Sequence, residues 1–233
     1  MKKFVFILVY LCLPVYAYSL PDSLAAKLAG LKDNHEKVAL LNQIAFDYHN
    51  TNTDSGLVYA NKALALAEKI SDKYGTAEAF KTIGVNYWRK SHYDVALDSY
   101  YNSLKIYESL NYSSGIAAVN GNIGLIFMAL EQNEKAKLYL YQSFKIYSSI
   151  NDYKGMGRSA SNLALVYSNT KDFQNAANYL QIGSNYYKAA GNIDGVYYNN
   201  SFLGLNYIKL HKYDSAFYYI SAANSYFANS PKI

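Results

Sequence analysis

Ile123–Tyr147 reads IGLIFMALEQNEKAKLYLYQSFKIY, and forty residues earlier Ile83–Tyr107 reads IGVNYWRKSHYDVALDSYYNSLKIY. The two stretches share their pattern of small, aromatic and branched residues and keep it in one register. Such self-similarity at a fixed period marks a repeat architecture. Glycine carries the same beat: Gly75, Gly115, Gly155 and Gly195 are spaced by 40, after the polar stretches SDKYG, NYSSG, NDYKG and GNIDG. Glycine after a short polar run suits a helix stop and turn.

Inside each period one stripe recurs. It carries Phe80, Ile83, Gly84 and Tyr87, then Asn120, Ile123, Gly124 and Phe127, then Ala160, Leu163, Ala164 and Tyr167, then Asn200, Leu203, Gly204 and Tyr207. An earlier unit fits with one residue fewer in its loop: Leu41, Ile44, Ala45 and Tyr48. A second helix follows each stripe, with Ala96 before Tyr100, Ala136 before Leu140, Ala176 before Leu180 and Ala216 before Ile220. Spacings of three, four and seven put these residues on one helical face. The small residue lets two backbones approach, and the large one fills the space beside the contact. A helix pair of this kind cannot bury its stripe alone, so it stacks on the next pair.

The pattern L-G-x-x-Y followed by A-x-x-x-F resembles the tetratricopeptide repeat (TPR). IGVNY with ALDSY carries it, as does LGLNY with AFYYI. The resemblance covers about five helix pairs from Lys37 to Asn229. It implies an all-α fold, a right-handed TPR superhelix. The usual period is about 34 residues, so a period of 40 adds about 9 Å of helix to each pair. The proline that the family places near the end of the second helix is missing, with Glu108, Ser148 and Lys188 in its place. Both departures are consistent with longer second helices. The opening stretch from Asp22 to Gly75 also looks like the start of the TPR sensor regions of bacterial membrane-bound histidine kinases and related regulators. That resemblance implies a signal-transduction role.

Composition narrows the rest. Of 233 residues, 51% are hydrophobic, so the chain can build a core. Prolines occur only at positions 14, 21 and 231, leaving Asp22–Ser230 free to be helical. The 27 tyrosines suit half-buried helix surfaces, an apolar ring with a polar tip. The start, MKKFVFILVYLCLPVYA, has the basic, apolar and small-residue regions of a secretory signal peptide, with cleavage expected after Ala17. Residues 1–17 are therefore read as a leader, 18–36 as an N-terminal capping segment with a short helix near Asp22–Leu31, and 37–233 as the solenoid. Periplasmic or secreted localisation follows from the leader, with no membrane span after its removal. Cys12 lies in the leader, so the mature chain can form neither a disulfide nor a thiolate metal site. The formal charge of +5 becomes +3 without Lys2 and Lys3. No Lys/Arg run makes a phosphate-tracking stripe, so a nucleic-acid partner is not expected.

No catalytic constellation stands out. His35, His49, His92 and His211 have no HExxH or paired-carboxylate company, and no G-x-S-x-G or phosphate-binding glycine loop occurs. The expectation is a non-enzymatic chain with no catalytic residue, cofactor or metal. Its partner is expected to be a protein or peptide. The resemblance implies that the first helix of each pair lines a concave groove. There the partner-binding candidates are Lys81, Trp88, Arg89, Met128, Arg158, Asn169, Tyr198 and Lys209, beside Asn42, Phe46, His49, Val85, Leu125 and Leu205. Val85 and Leu125 stand where a carboxylate clamp of the family would want asparagine. Trp88 has two readings: an anchor gripping a peptide with Lys81 and Arg89, or packing against the next repeat. A peptide or glycan receptor that uses the tyrosines and Trp88 is the alternative function. The last helix spreads Phe217, Tyr218, Tyr219, Ile220, Tyr226 and Phe227 around its circumference. Such an end expects a further repeat, a partner, or a homodimer through this helix.

Overall fold

A computed structural model describes residues 20–229; the leader, the expected cleavage site and the last four residues lie outside them. The described chain is all helical. Helix α1 (Asp22–Gly30) precedes five helix pairs. These are α2 (His35–Asp47) with α3 (Thr53–Lys69), α4 (Lys73–Arg89) with α5 (Tyr93–Ser109), and α6 (Ser113–Ala129) with α7 (Asn133–Ser149). Then come α8 (Tyr153–Asn169) with α9 (Phe173–Ala189), and α10 (Ile193–Lys209) with α11 (Tyr213–Asn229). A short 3₁₀ turn, Tyr48–Asn50, joins α2 to α3. The helices pack consecutively as a TPR-like solenoid.

From α3 onward every helix has 17 residues, about 25 Å of rise. The longer period is thus shared equally by first and second helices, not carried by the second alone as the sequence suggested. The turns explain the equality. Ser71, Ser91, Asn111, Glu131, Asn151, Lys171, Gly191 and His211 all have φ between 52° and 68° and recur every 20 residues. Each sits in a turn closed by the following amide, as where Gln132 donates to the Phe127 carbonyl at 2.8 Å. This left-handed closure ends a helix without proline. Asn52, Asp72, Asp152, Asp172 and Asn192 then cap the next helix, each accepting from the amide three residues on.

The glycines at 75, 115, 155 and 195 are not turn residues. Each is the third residue of a first helix, and each lies where a side chain would collide with a neighbouring one. A Cβ on Gly155 would lie 2.3 Å from the Tyr147 ring, one on Gly115 2.7 Å from Tyr107, and one on Gly195 2.6 Å from Tyr187. Helices α5, α7 and α9 therefore each lay a tyrosine ring across the start of the next first helix, which lacks a side chain at that point; at Gly75 the neighbours are Val38 and Asp72 instead. Within a pair, Gly124 meets Leu140 and the Ala136 carbonyl, and Gly204 meets Ile220 and the Ala216 carbonyl. That is the close approach expected from the stripe.

Tyr100, Tyr107, Val119, Ile123, Ile126, Leu140 and Val166 belong to the central core, all buried. Further ring pairs lock first to second helices at 5.2–5.6 Å between centroids: Phe127 on Tyr139, Tyr167 on Tyr179 and Tyr207 on Tyr219. Polar bonds cross the same seams. Ser103 and Ser143 donate to the carbonyls of Ala77 and Ala117, and between successive first helices Ser161 donates to Asn199 Oδ1.

Candidate binding groove on the inner helices

First helices approach one another closely in sequence, α2 to α4, α4 to α6, α6 to α8 and α8 to α10, while second helices reach one another through long side chains, as where the Phe144 and Tyr186 rings lie 5.8 Å apart and the Tyr101 and Tyr139 hydroxyls 3.4 Å apart. The first helices therefore line the inner, concave side. Three cavities run along it and share walls. The first, about 620 Å³, lies between α2 and α4 and is lined by Val38, Asn42, Phe46, Tyr74, Glu78 and Lys81 among others. The second, about 330 Å³, continues from Phe46 and Lys81 to Val85, Trp88, Leu125 and Arg158. The third, about 360 Å³, runs from Ala118 and Arg158 to Tyr147, Lys154 and Tyr187.

Charge in the groove is held in place by the tyrosines that seal the glycines. Tyr107 donates its hydroxyl to Glu78, and Lys81 Nζ bonds both Glu78 oxygens at 2.8 and 2.7 Å. One repeat on, Arg158 donates to the Tyr147 hydroxyl and lies 5.5 Å from that ring. Burial pushes both tyrosines above the usual phenol range; the Glu78 charge adds to the effect at Tyr107, and Arg158 opposes it at Tyr147. At the first cavity Asp72 caps α4 and pairs with His35 Nδ1 at 2.8 Å. Asn42 donates to the Gly75 carbonyl and leaves its Oδ1 unpartnered.

Of the eight candidate residues, Lys81, Trp88 and Arg158 come together in the second cavity, with Phe46, His49, Val85 and Leu125. Trp88 combines both of its readings: it is half-buried, packs against the central core, and presents ring surface to the cavity. Arg89 is exposed with its guanidinium 5.8 Å from the Trp88 ring. Met128 packs against the core. Asn169, Tyr198 and Lys209 are exposed and lie outside the three cavities, Tyr198 resting 4.9 Å from Phe202. Sequence reasoning missed Glu78, Tyr74, Tyr147 and Tyr187. A 40-residue alignment of Glu78 with Ala118, Arg158 and Tyr198 would have flagged the position, because it changes charge from repeat to repeat.

Among the described residues no group of three or more His, Cys, Asp or Glu side chains is placed to hold a metal ion, and no helix is long and apolar enough to cross a membrane.

The tetratricopeptide repeat family matches residues 36–109. No curated protein matches the chain. Among solved structures, the chain is similar to the apo form of RapI, with a TM-score of 0.70, 21% identity, and coverage of 88% of this chain and 73% of that one. It is similar to BtubC (BKLC) from P. vanneervenii, with a TM-score of 0.69, 16% identity, and coverage of 85% and 82%. A Rap protein complexed with Competence and Sporulation Factor gives a TM-score of 0.67, 18% identity, and coverage of 88% and 68%. At these identities the likeness is one of fold.

Proposed function

We propose that this chain is a non-enzymatic, exported interaction scaffold that receives a polypeptide segment along its inner helices. The observation that carries this reading is the run of three wall-sharing cavities. Its middle is apolar through Phe46, Val85, Trp88 and Leu125 and is flanked by Lys81 and Arg158. An apolar trough with a few fixed charges suits side chains of an extended or helical peptide. The complex of a Rap protein with Competence and Sporulation Factor is a precedent for a partner on this fold. Relation to the sensing region of TPR signalling proteins is part of the same proposal: a bound segment would bias the curvature of the solenoid, and a further partner would read it. A glycan receptor is disfavoured because so many tyrosine rings are stacked on one another inside helix pairs.

Trp88 is the sole tryptophan and reports directly on the groove. Titrating the chain from Tyr18 with a pool of random 12-residue peptides should yield binders that shift its emission. Arg158→Ala and Val85→Asp should each weaken the selected peptides about tenfold or more with unchanged circular dichroism. A pool that yields no binder, or binders indifferent to both variants, removes the groove reading. Export is tested separately: on expression with the leader, the product should leave the cytoplasm with Tyr18 as its first residue.

A further inference from the structure

Two places along the groove, forty residues apart in register, are built alike, with one part missing from the second. At the first, Tyr107 donates its hydroxyl to Glu78, Lys81 Nζ bonds both Glu78 oxygens, and Lys81 lies 6.0 Å from the centre of the Tyr107 ring. A phenol, a cation and a carboxylate thus satisfy one another. At the second, Tyr147 stands for Tyr107, and the cation is Arg158, which donates to the Tyr147 hydroxyl and lies 5.5 Å from that ring. The carboxylate is missing. Forty residues after Glu78 stands Ala118, and forty after Lys81 stands Gly121. Among the described residues no Asp or Glu pairs with Arg158, and nothing accepts the Tyr147 hydroxyl proton. Asp152 also lines the third cavity, but it caps α8 by accepting from the Gly155 amide at 2.8 Å, and Lys154 on the same wall offsets its charge. The space a glutamate would fill is open, because Ala118 and Arg158 lie together on the wall that the second and third cavities share.

We propose that the polypeptide received along the inner helices places a carboxylate over Ala118, where it pairs with Arg158 and accepts the Tyr147 hydroxyl as Glu78 accepts that of Tyr107. This rests on the groove reading above and adds a charge requirement to it. The guanidinium is a planar fork of five N–H donors, and Tyr147 occupies only one nitrogen, so the rest of the fork is left for a carboxylate. Tyr147 is the positioning residue, since it fixes the plane of that fork. The carboxylate is an Asp or Glu side chain or the end of the bound segment; the chemistry is the same. Val85, Trp88 and Leu125 line the adjoining second cavity, so the acid lies beside apolar residues of the segment.

The test selects two pools of random 12-residue peptides, one with free and one with amidated C-termini, against the chain from Tyr18. Amidated binders that share an Asp or Glu identify a side chain; binders confined to the free pool identify the chain end. Converting the shared acid to its amide should weaken binding about tenfold or more against the parent chain, and less than about twofold against Arg158→Gln. Ala118→Glu, which restores the missing part within the chain, should abolish the advantage of acid over amide with circular dichroism unchanged. Three results overturn this inference and leave the groove reading standing: binders that need Val85 but share no acid, an amide conversion equally costly against Arg158→Gln, or an acid advantage that survives Ala118→Glu. No binder in either pool, or binders indifferent to Val85→Asp, removes both.

Discussion

The junction between α7 and α8 and the open face of α11 are built from the same parts and end in opposite states. At the junction, Tyr147 is buried over Gly155, its hydroxyl is fixed by Arg158, and Ser143 and Ser159 meet at 2.9 Å. On α11, Phe217, Tyr218 and Phe227 remain exposed. The difference teaches that ring and branched residue are only half of a repeat contact. The other half is an absence, a missing side chain at one position of the next helix, and a sequence displays such absences poorly.

The largest effect should come from filling that absence. Gly155→Leu forces a branched side chain into the Tyr147 ring and should lower stability by about 3 kcal/mol or more, read by urea unfolding. Phe227→Leu on the open face should change it by no more than about 0.5 kcal/mol. Equal costs would erase the distinction between the two surfaces. Ala136→Leu attacks the contact within a pair, where Gly124 meets the Ala136 carbonyl, and should cost about 1–3 kcal/mol; an unchanged midpoint would mean the stripes are out of phase.

How far the sequence could be read follows from the same point. Helix pairs and their phase were legible because Ile83, Ile123, Leu163 and Leu203 recur every 40 residues and each is buried. Trp88, Lys81 and Arg158 were legible as groove residues because inner helices follow from the phase. Glycines 75 to 195 were misread, since glycine after a polar run looks the same whether it ends one helix or yields to a ring in the next. The equal helix lengths were hidden because the left-handed turn positions hold Ser, Asn, Glu, Lys and His, and only Gly191 announces itself. The cavity between α2 and α4 depends on a cross-repeat contact that no local window contains.

Alkaline titration sharpens the comparison more gently. Tyr107 and Tyr147 have folded pKa values above the unfolded value of 10. Their contribution is fully present below pH 10 and is lost as pH rises beyond it. Melting midpoints should therefore fall above pH 10. Tyr147→Phe together with Tyr107→Phe should flatten the decline; a slope unaltered in the double variant would assign it elsewhere. The smallest effect concerns the turns. Glu131→Gly and Lys171→Gly relieve left-handed backbone and should each raise stability by about 0.5–1 kcal/mol, whereas Gly191→Ala should lower it by a similar amount.

The eight left-handed turns fall every 20 residues, yet the architecture repeats every 40. The chain thus has a parity. Adding or deleting 40 residues preserves it and lengthens or shortens the spiral by one step. A 20-residue change would keep every turn in place while sending each later inner helix to the outside. Length variation among chains built this way should therefore be counted in even steps.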